Sequence, residues 1–188
     1  GRRTFGVALC GTFPPGVDEE AYASIARHLK KDRGILLLDG YKGVDATLNT
    51  RRVDVLKINS DELIELASQG DDLDAAAAHV FSKYLSSSSS LAVTCGGDPA
   101  LLYLQKEGGG LRKIKFQVPR IGDAENPIGA GDTCGASMLY AMCIGVPPPE
   151  AFAWGLAAAS ASCMTLRGAD FESYRAAELL EQVSWEDA

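Results

Sequence analysis

Basic residues are in deficit in this sequence: 18 Lys and Arg stand against 25 Asp and Glu, a formal net charge of −7 over 188 residues. A nucleic-acid-binding surface needs a basic patch or stripe, so that class of partner is excluded. The basic residues are scattered apart from the short stretch Arg27–Arg33, which reads as the solvated end of a helix. Long apolar runs are also missing. None approaches the ~20 residues that span a bilayer, and Gly1-Arg2-Arg3-Thr4 leads into a short apolar segment without a signal-peptide core. The five cysteines (Cys10, Cys95, Cys134, Cys143, Cys163) are odd in number and contain no C-x-x-C pair. That pattern fits reduced, mostly buried thiols rather than a disulfide framework or zinc site. The expectation is a cytoplasmic protein without a membrane partner. His28 and His79 lie in helical stretches with no metal-ligating neighbour at suitable spacing. The chain has no G-x-x-x-x-G-K-[ST] phosphate loop, no G-x-S-x-G elbow and no internal repeat.

What is present is an alternation of short apolar runs with helical stretches, at an ordinary 46% hydrophobic and 23% charged content. Strands are expected over Phe5–Cys10, Ile35–Asp39, Val53–Ile58 and Leu91–Cys95. Two more, Ala100–Gln105 and Arg112–Val118, should be joined across Gly108-Gly109-Gly110. Gly11–Gly16 reads as a turn. Asp18 should cap a helix running to about Lys31, with Ala21, Ile25, Ala26 and Leu29 on one face. Further helices are expected over Val44–Leu48, Asp61–Ala67, Asp71–Leu85, Ala130–Ile144, Pro149–Leu166 and Glu172–Val183. Ser86–Ser90 reads as a flexible surface loop. The order implies one α/β domain with a mostly parallel sheet flanked by helices on both faces. Ligands then bind beyond the carboxyl ends of the strands, and Asp39, Asn59, Glu62 and Gly96 all lie just past such ends.

The strongest local signal is Asn126-Pro127-Ile128-Gly129-Ala130-Gly131-Asp132-Thr133. A turn of small residues opens directly into an apolar helix, whose first amides lack intrahelical acceptors. Those donors and the helix dipole suit a phosphate or oxyanion, and Asp132 could take a proton from an attacking hydroxyl beside it. From spacing alone, a helix start with an acid stabilised by the dipole is an equal reading.

Gly129-Ala130-Gly131-Asp132-Thr133 resembles the G-A-G-D signature of the PfkB (ribokinase-like) carbohydrate kinases. Cys10-Gly11-Thr12-Phe13-Pro14-Pro15-Gly16 with Tyr22, and Lys57-Ile58-Asn59-Ser60-Asp61-Glu62, are similar to segments of its 1-phosphofructokinase and tagatose-6-phosphate kinase branch. Thr94-Cys95-Gly96-Gly97 and Arg167-Gly168-Ala169 resemble its nucleotide strand end and last glycine turn. Four further motifs in the family's order make the resemblance far more specific than G-A-G-D alone. The resemblance implies a ribokinase-like fold and an ATP-dependent phosphotransferase acting on a sugar or sugar phosphate. It makes Asp132 the base and the amides of Gly129, Ala130 and Gly131 the anion hole. Asn59 and Glu62 would position Mg²⁺ through water, as Mg²⁺ chemistry favours, although Asn59 with an acid three residues on is also a helix cap. Lys57 would sit near the ATP phosphates, Thr94 and Gly96 beside the nucleotide, and Ala158, in the small-residue run Ala157–Ser162, beside adenine. Pro99 departs from the family, where a second glycine is common. The resemblance covers the family's C-terminal part, so the sugar site and β-stranded lid of its N-terminal part are expected to be missing. The alternative is a truncated, non-catalytic nucleotide-binding or regulatory module of the same fold.

Overall fold

The computed structural model describes residues 5–11, 13, 16–30, 32, 34–68, 70, 72–122 and 124–188. Parts of three expectations lie outside these residues: Thr12, Pro14 and Pro15 of the turn, Lys31 and Arg33 after the first helix, and Asp71 before the fourth. The elements run β1 (Phe5–Cys10), α1 (Glu20–His28), β2 (Gly34–Asp39), α2 (Asp45–Asn49), β3 (Val55–Asn59), α3 (Ser60–Ala67) and α4 (Leu73–Tyr84). They continue as β4 (Ser90–Cys95), β5 (Asp98–Gln105), β6 (Leu111–Gln117), α5 (Ala130–Cys143), α6 (Pro148–Cys163), α7 (Ser173–Leu180) and β7 (Ser184–Asp187).

The seven strands form one sheet in chain order. Pairing is parallel from β1 to β4 and antiparallel from β4 to β7. Parallel neighbours need crossovers, and crossovers share one hand. A sheet that grows in a single direction therefore stacks α1–α4 on one face. There Leu36, Leu38, Leu56, Ile58, Leu91 and Val93 pack with Ala26, Leu63, Ala77 and Val80. The alternate residues of the same strands, Leu37, Val55 and Ala92, face the other way and pack with Met138, Leu139, Phe152 and Leu156 of α5 and α6. This period of two decides which strand-end side chains can meet. Continuing it, Asp39, Lys57, Asn59 and Thr94 fall on the α5–α6 face, at the carboxyl ends of their strands.

Several local expectations are corrected. On α1 the buried residues are Ala23 and Ala26, with Tyr22 and Leu29 half-buried, whereas Ala21 and Ile25 face solvent. Asp18 does accept the Glu20 amide, at 2.9 Å. The serine run is not a loose loop. Ser89 and Ser90 are buried; the Ser89 hydroxyl donates to the Val53 carbonyl at 2.7 Å and accepts the Ser86 amide at 3.1 Å, while Ser90 already belongs to β4. Ser89→Ala would leave both partners short of a bond, and should lower stability by about 1 kcal/mol. Urea unfolding would report it as a lower midpoint at unchanged slope. Only Cys134 is buried; Cys95, Cys143 and Cys163 are half-buried and Cys10 is exposed. The last helix ends at Leu180 rather than Val183, and the chain turns into β7, where Trp185 stacks on Phe116 at 5.6 Å between ring centroids. Among the described residues, no helix is long and apolar enough to cross a membrane.

Candidate active site at the N-terminus of α5

The turn before α5 is built around two glycines that admit no side chain. Gly129 caps the helix at φ +82°, and a Cβ there would lie 2.9 Å from the backbone nitrogen of Ala169. Gly168 makes the reciprocal approach: its Cβ would fall 2.8 Å from the Ile128 carbonyl oxygen. The two turns therefore interlock. Asn126 fastens them further, donating from Nδ2 to the Leu166 carbonyl while its Oδ1 accepts the Ile128 amide. The Glu125 and Asn126 amides both donate to the Cys163 carbonyl at the end of α6. The α5 N-terminus is thus held by the opposite end of the neighbouring helix.

Within this turn the Ala130 amide donates to the Pro127 carbonyl at 3.2 Å, so it is already engaged. The Gly131 and Asp132 amides lie in the first turn, where no intrahelical acceptor exists. Asp132 is exposed on that turn. Among the described residues its carboxylate makes no hydrogen bond or ion pair, and it is not buried in an unrelated salt link.

Lys57 lies beneath this turn. A Cβ on Gly131 would come 2.9 Å from its Nζ. The ammonium is 3.0 Å from Asp39 Oδ2, with side-chain exposures of 6% for Lys57 and 15% for Asp39. A Cβ on Gly135, one helical turn further along α5, would lie 3.6 Å from the same carboxylate oxygen. Burial lowers the Lys57 pKa, but Asp39 and the neighbouring acidic groups outweigh it, and the net shift is upward; the ammonium stays charged. Burial raises the Asp39 pKa; Lys57 pulls it back, and the charges of Asp132 and Glu62 push it up again. Although Cys10 is exposed as a residue, partial burial of its thiol raises its pKa, then Asp39 and Asp132 do; Cys134 is pushed up to about 12 by burial, which keeps it a thiol.

Asn59 and Glu62 form a capping box at the start of α3. Asn59 Oδ1 accepts the Glu62 amide and Glu62 Oε2 accepts the Asn59 amide, both at 2.9 Å. The cap role is filled, and it fixes both side chains beside the site. Among the described residues no group of three His, Cys, Asp or Glu could hold a metal. The donor set suits Mg²⁺ all the same, because that ion keeps most of its waters and uses one or two carboxylates. Asp39, paired with the Lys57 ammonium at 3.0 Å, also feels the charges of Asp132 and Glu62, an acidic surplus that a divalent cation would offset.

Thr94 is the register partner of Asn59. Gly96, at φ +63°, opens the tight β4–β5 hairpin, in which Cys95 pairs with Asp98. The structure therefore gathers Asp132, Gly129, Gly131, Lys57, Asn59, Glu62 and Thr94 at one end of the sheet. Ala158 lines a groove of about 460 Å³ with Ala136, Tyr140, Trp154 and Phe171, and Ala136 lies one turn after Asp132 on α5. A larger cleft of about 680 Å³ lies between α4 and the β5–β6 ribbon. Its polar groups are spent on each other, Tyr103 and Lys113 donating to Asp74 and Arg51 to the carbonyls that end α4. Asp39, which the sequence places only past a strand end, joins this cluster through its 3.0 Å ion pair with Lys57. The signal that finds it is its register with Lys57 on adjacent strands.

The class that this architecture defines is confirmed by comparison: residues 6–171 match the pfkB family of carbohydrate kinases, and the chain belongs to that family. Solved structures of the same fold include phosphofructokinase-2 from Escherichia coli in complex with potassium (TM-score 0.78, 21% identity, covering 94% of this chain and 56% of that one). Ribokinase from Arabidopsis thaliana complexed with ribose and ATP gives a TM-score of 0.76 at 21% identity, covering 94% and 55%. Ribokinase from Thermotoga maritima gives 0.75 at 20%, covering 94% and 56%. The chain spans little more than half the length of these structures. No curated protein matches it significantly.

Proposed function

We propose that the chain is the C-terminal, nucleotide-binding and catalytic part of a kinase that transfers the γ-phosphoryl group of ATP to a hydroxyl of a sugar or sugar phosphate. The observation that carries this reading is the stacking of three features at one point. These are a glycine turn that leaves first-turn amides free, an exposed carboxylate on the same turn, and a buried ammonium directly beneath it.

In this reading Asp132 accepts the proton of the acceptor hydroxyl as its oxygen attacks the γ-phosphorus. The bond to the β,γ-bridging oxygen breaks, ADP leaves, and Asp132 later returns its proton to solvent. The amides of Gly131 and its first-turn neighbours, with Gly129 shaping the turn, hold the charge that builds on the transferred group. Lys57 adds a fixed positive charge from below. Asn59 and Glu62 would hold Mg²⁺ through water, and the ion would supply charge neutralisation on the phosphate oxygens. Thr94 and Gly96 would border the nucleotide. Ala158, on the groove it shares with Ala136, would lie beside adenine.

Calorimetric titration with Mg-ATP, followed by a phosphorylation assay over sugars and sugar phosphates, tests the reading. Binding together with turnover supports it. Failure to bind Mg-ATP would overturn it, and binding without turnover in the complete protein would favour a non-catalytic nucleotide module.

A further inference from the structure

We propose that Asp39 is a positioning residue: it fixes the Lys57 ammonium against the first turn of α5, so that the charge faces the terminal phosphate of the nucleotide. The inference rests on the kinase reading above and assigns a role to a residue outside its machinery. Asp39 and Lys57 are register neighbours on β2 and β3 and project from the same face of the sheet. Both are largely buried and 3.0 Å apart. Gly131 leaves room for the ammonium, since a side chain there would strike Nζ, while a Cβ at Gly135 would only touch the carboxylate at 3.6 Å.

A buried ion pair is a poor way to gain stability, because desolvation cancels most of the attraction. A lysine left alone on its flexible four-carbon stem would turn its ammonium towards water. The solvent-exposed side of the site is the one that carries Asn59 and Asp132. The carboxylate holds the ammonium back from that exit. Its effect on nucleotide binding is therefore indirect and is exerted through Lys57.

The test is a double-mutant cycle read by calorimetry, with Mg-ATP and AMP as separate ligands. Asp39→Ala should weaken Mg-ATP binding about tenfold, the range of one charge-assisted hydrogen bond, and change AMP binding less than about twofold. Lys57→Met should do the same, and Asp39→Ala/Lys57→Met should bind Mg-ATP no more weakly than Lys57→Met alone. Asp39→Asn keeps an oxygen acceptor in place, so it should recover part of the loss. It also carries the cycle if the alanine variant does not fold. Equal losses for AMP and Mg-ATP, wild-type affinity in Asp39→Ala, or an undiminished Asp39 effect in the Lys57→Met background would each overturn the inference while leaving the kinase reading standing. A wild-type protein that binds no Mg-ATP would overturn both.

Discussion

Asp132→Asn is expected to lower kcat by ~10²–10⁴-fold, the usual contribution of a positioned general base, while Mg-ATP affinity stays close to wild type. The substitution is nearly isosteric. It removes the proton acceptor and leaves the first-turn amides, the Gly129 turn and Lys57 where they are. Asp132 makes no hydrogen bond or ion pair among the described residues, so there is no structural bond whose loss could mimic the effect. Steady-state kinetics beside a binding titration separates the two quantities. Turnover retained in the variant would remove the assigned base.

Gly129→Val should be the most damaging change to the cradle itself. At φ +82° an L residue pays about 1–2 kcal/mol, and a β-branched one is a true outlier there. A Cβ would also press into the Ala169 backbone at 2.9 Å, where overpacking adds about 1–3 kcal/mol. A total of about 3 kcal/mol corresponds to a melting point lower by roughly 6–12 °C for a domain of this size. Because the Gly129 and Gly168 turns interlock, the first turn of α5 would be displaced as well. Mg-ATP binding should fall together with stability, in contrast to Asp132→Asn, and thermal melts with parallel titrations would check both. Unchanged melting and affinity would show that the turn is not held by this contact.

Much of this site was legible in the sequence because its parts are local. Gly129–Thr133 announces a glycine turn entering a helix. Asn59 and Glu62 announce a cap three residues apart, and the structure builds that cap. The Lys57–Asp39 pair was not legible in the same way, since it depends on β2 and β3 being neighbours in a particular register, with the partners eighteen positions apart. Strand parity alone would have placed both side chains on one face, but not at one point. The serine run was misread for a related reason: nothing local says that Ser89 reaches the Val53 carbonyl, thirty-six residues away. In β7, Ser-Trp-Glu-Asp is fully exposed and has no apolar alternation. It is a strand because β6 pairs with it and Trp185 stacks on Phe116. On α1 the apolar spacing alone puts Ala21, Ile25, Ala26 and Leu29 on one face. Ala26 is buried as that face requires, but Ala23 takes the place of Ala21 and Ile25, which are exposed.

The central claim is that the first turn of α5 receives the transferred phosphoryl group with Asp132 facing it. A crystal structure with Mg²⁺ and a non-hydrolysable ATP analogue tests this directly. The account predicts the terminal phosphate hydrogen-bonded to the Gly131 amide, with the Lys57 ammonium below it and the Asp132 carboxylate turned towards the γ-phosphorus. A terminal phosphate bound away from α5, or an Asp132 side chain directed away from it, would contradict the account.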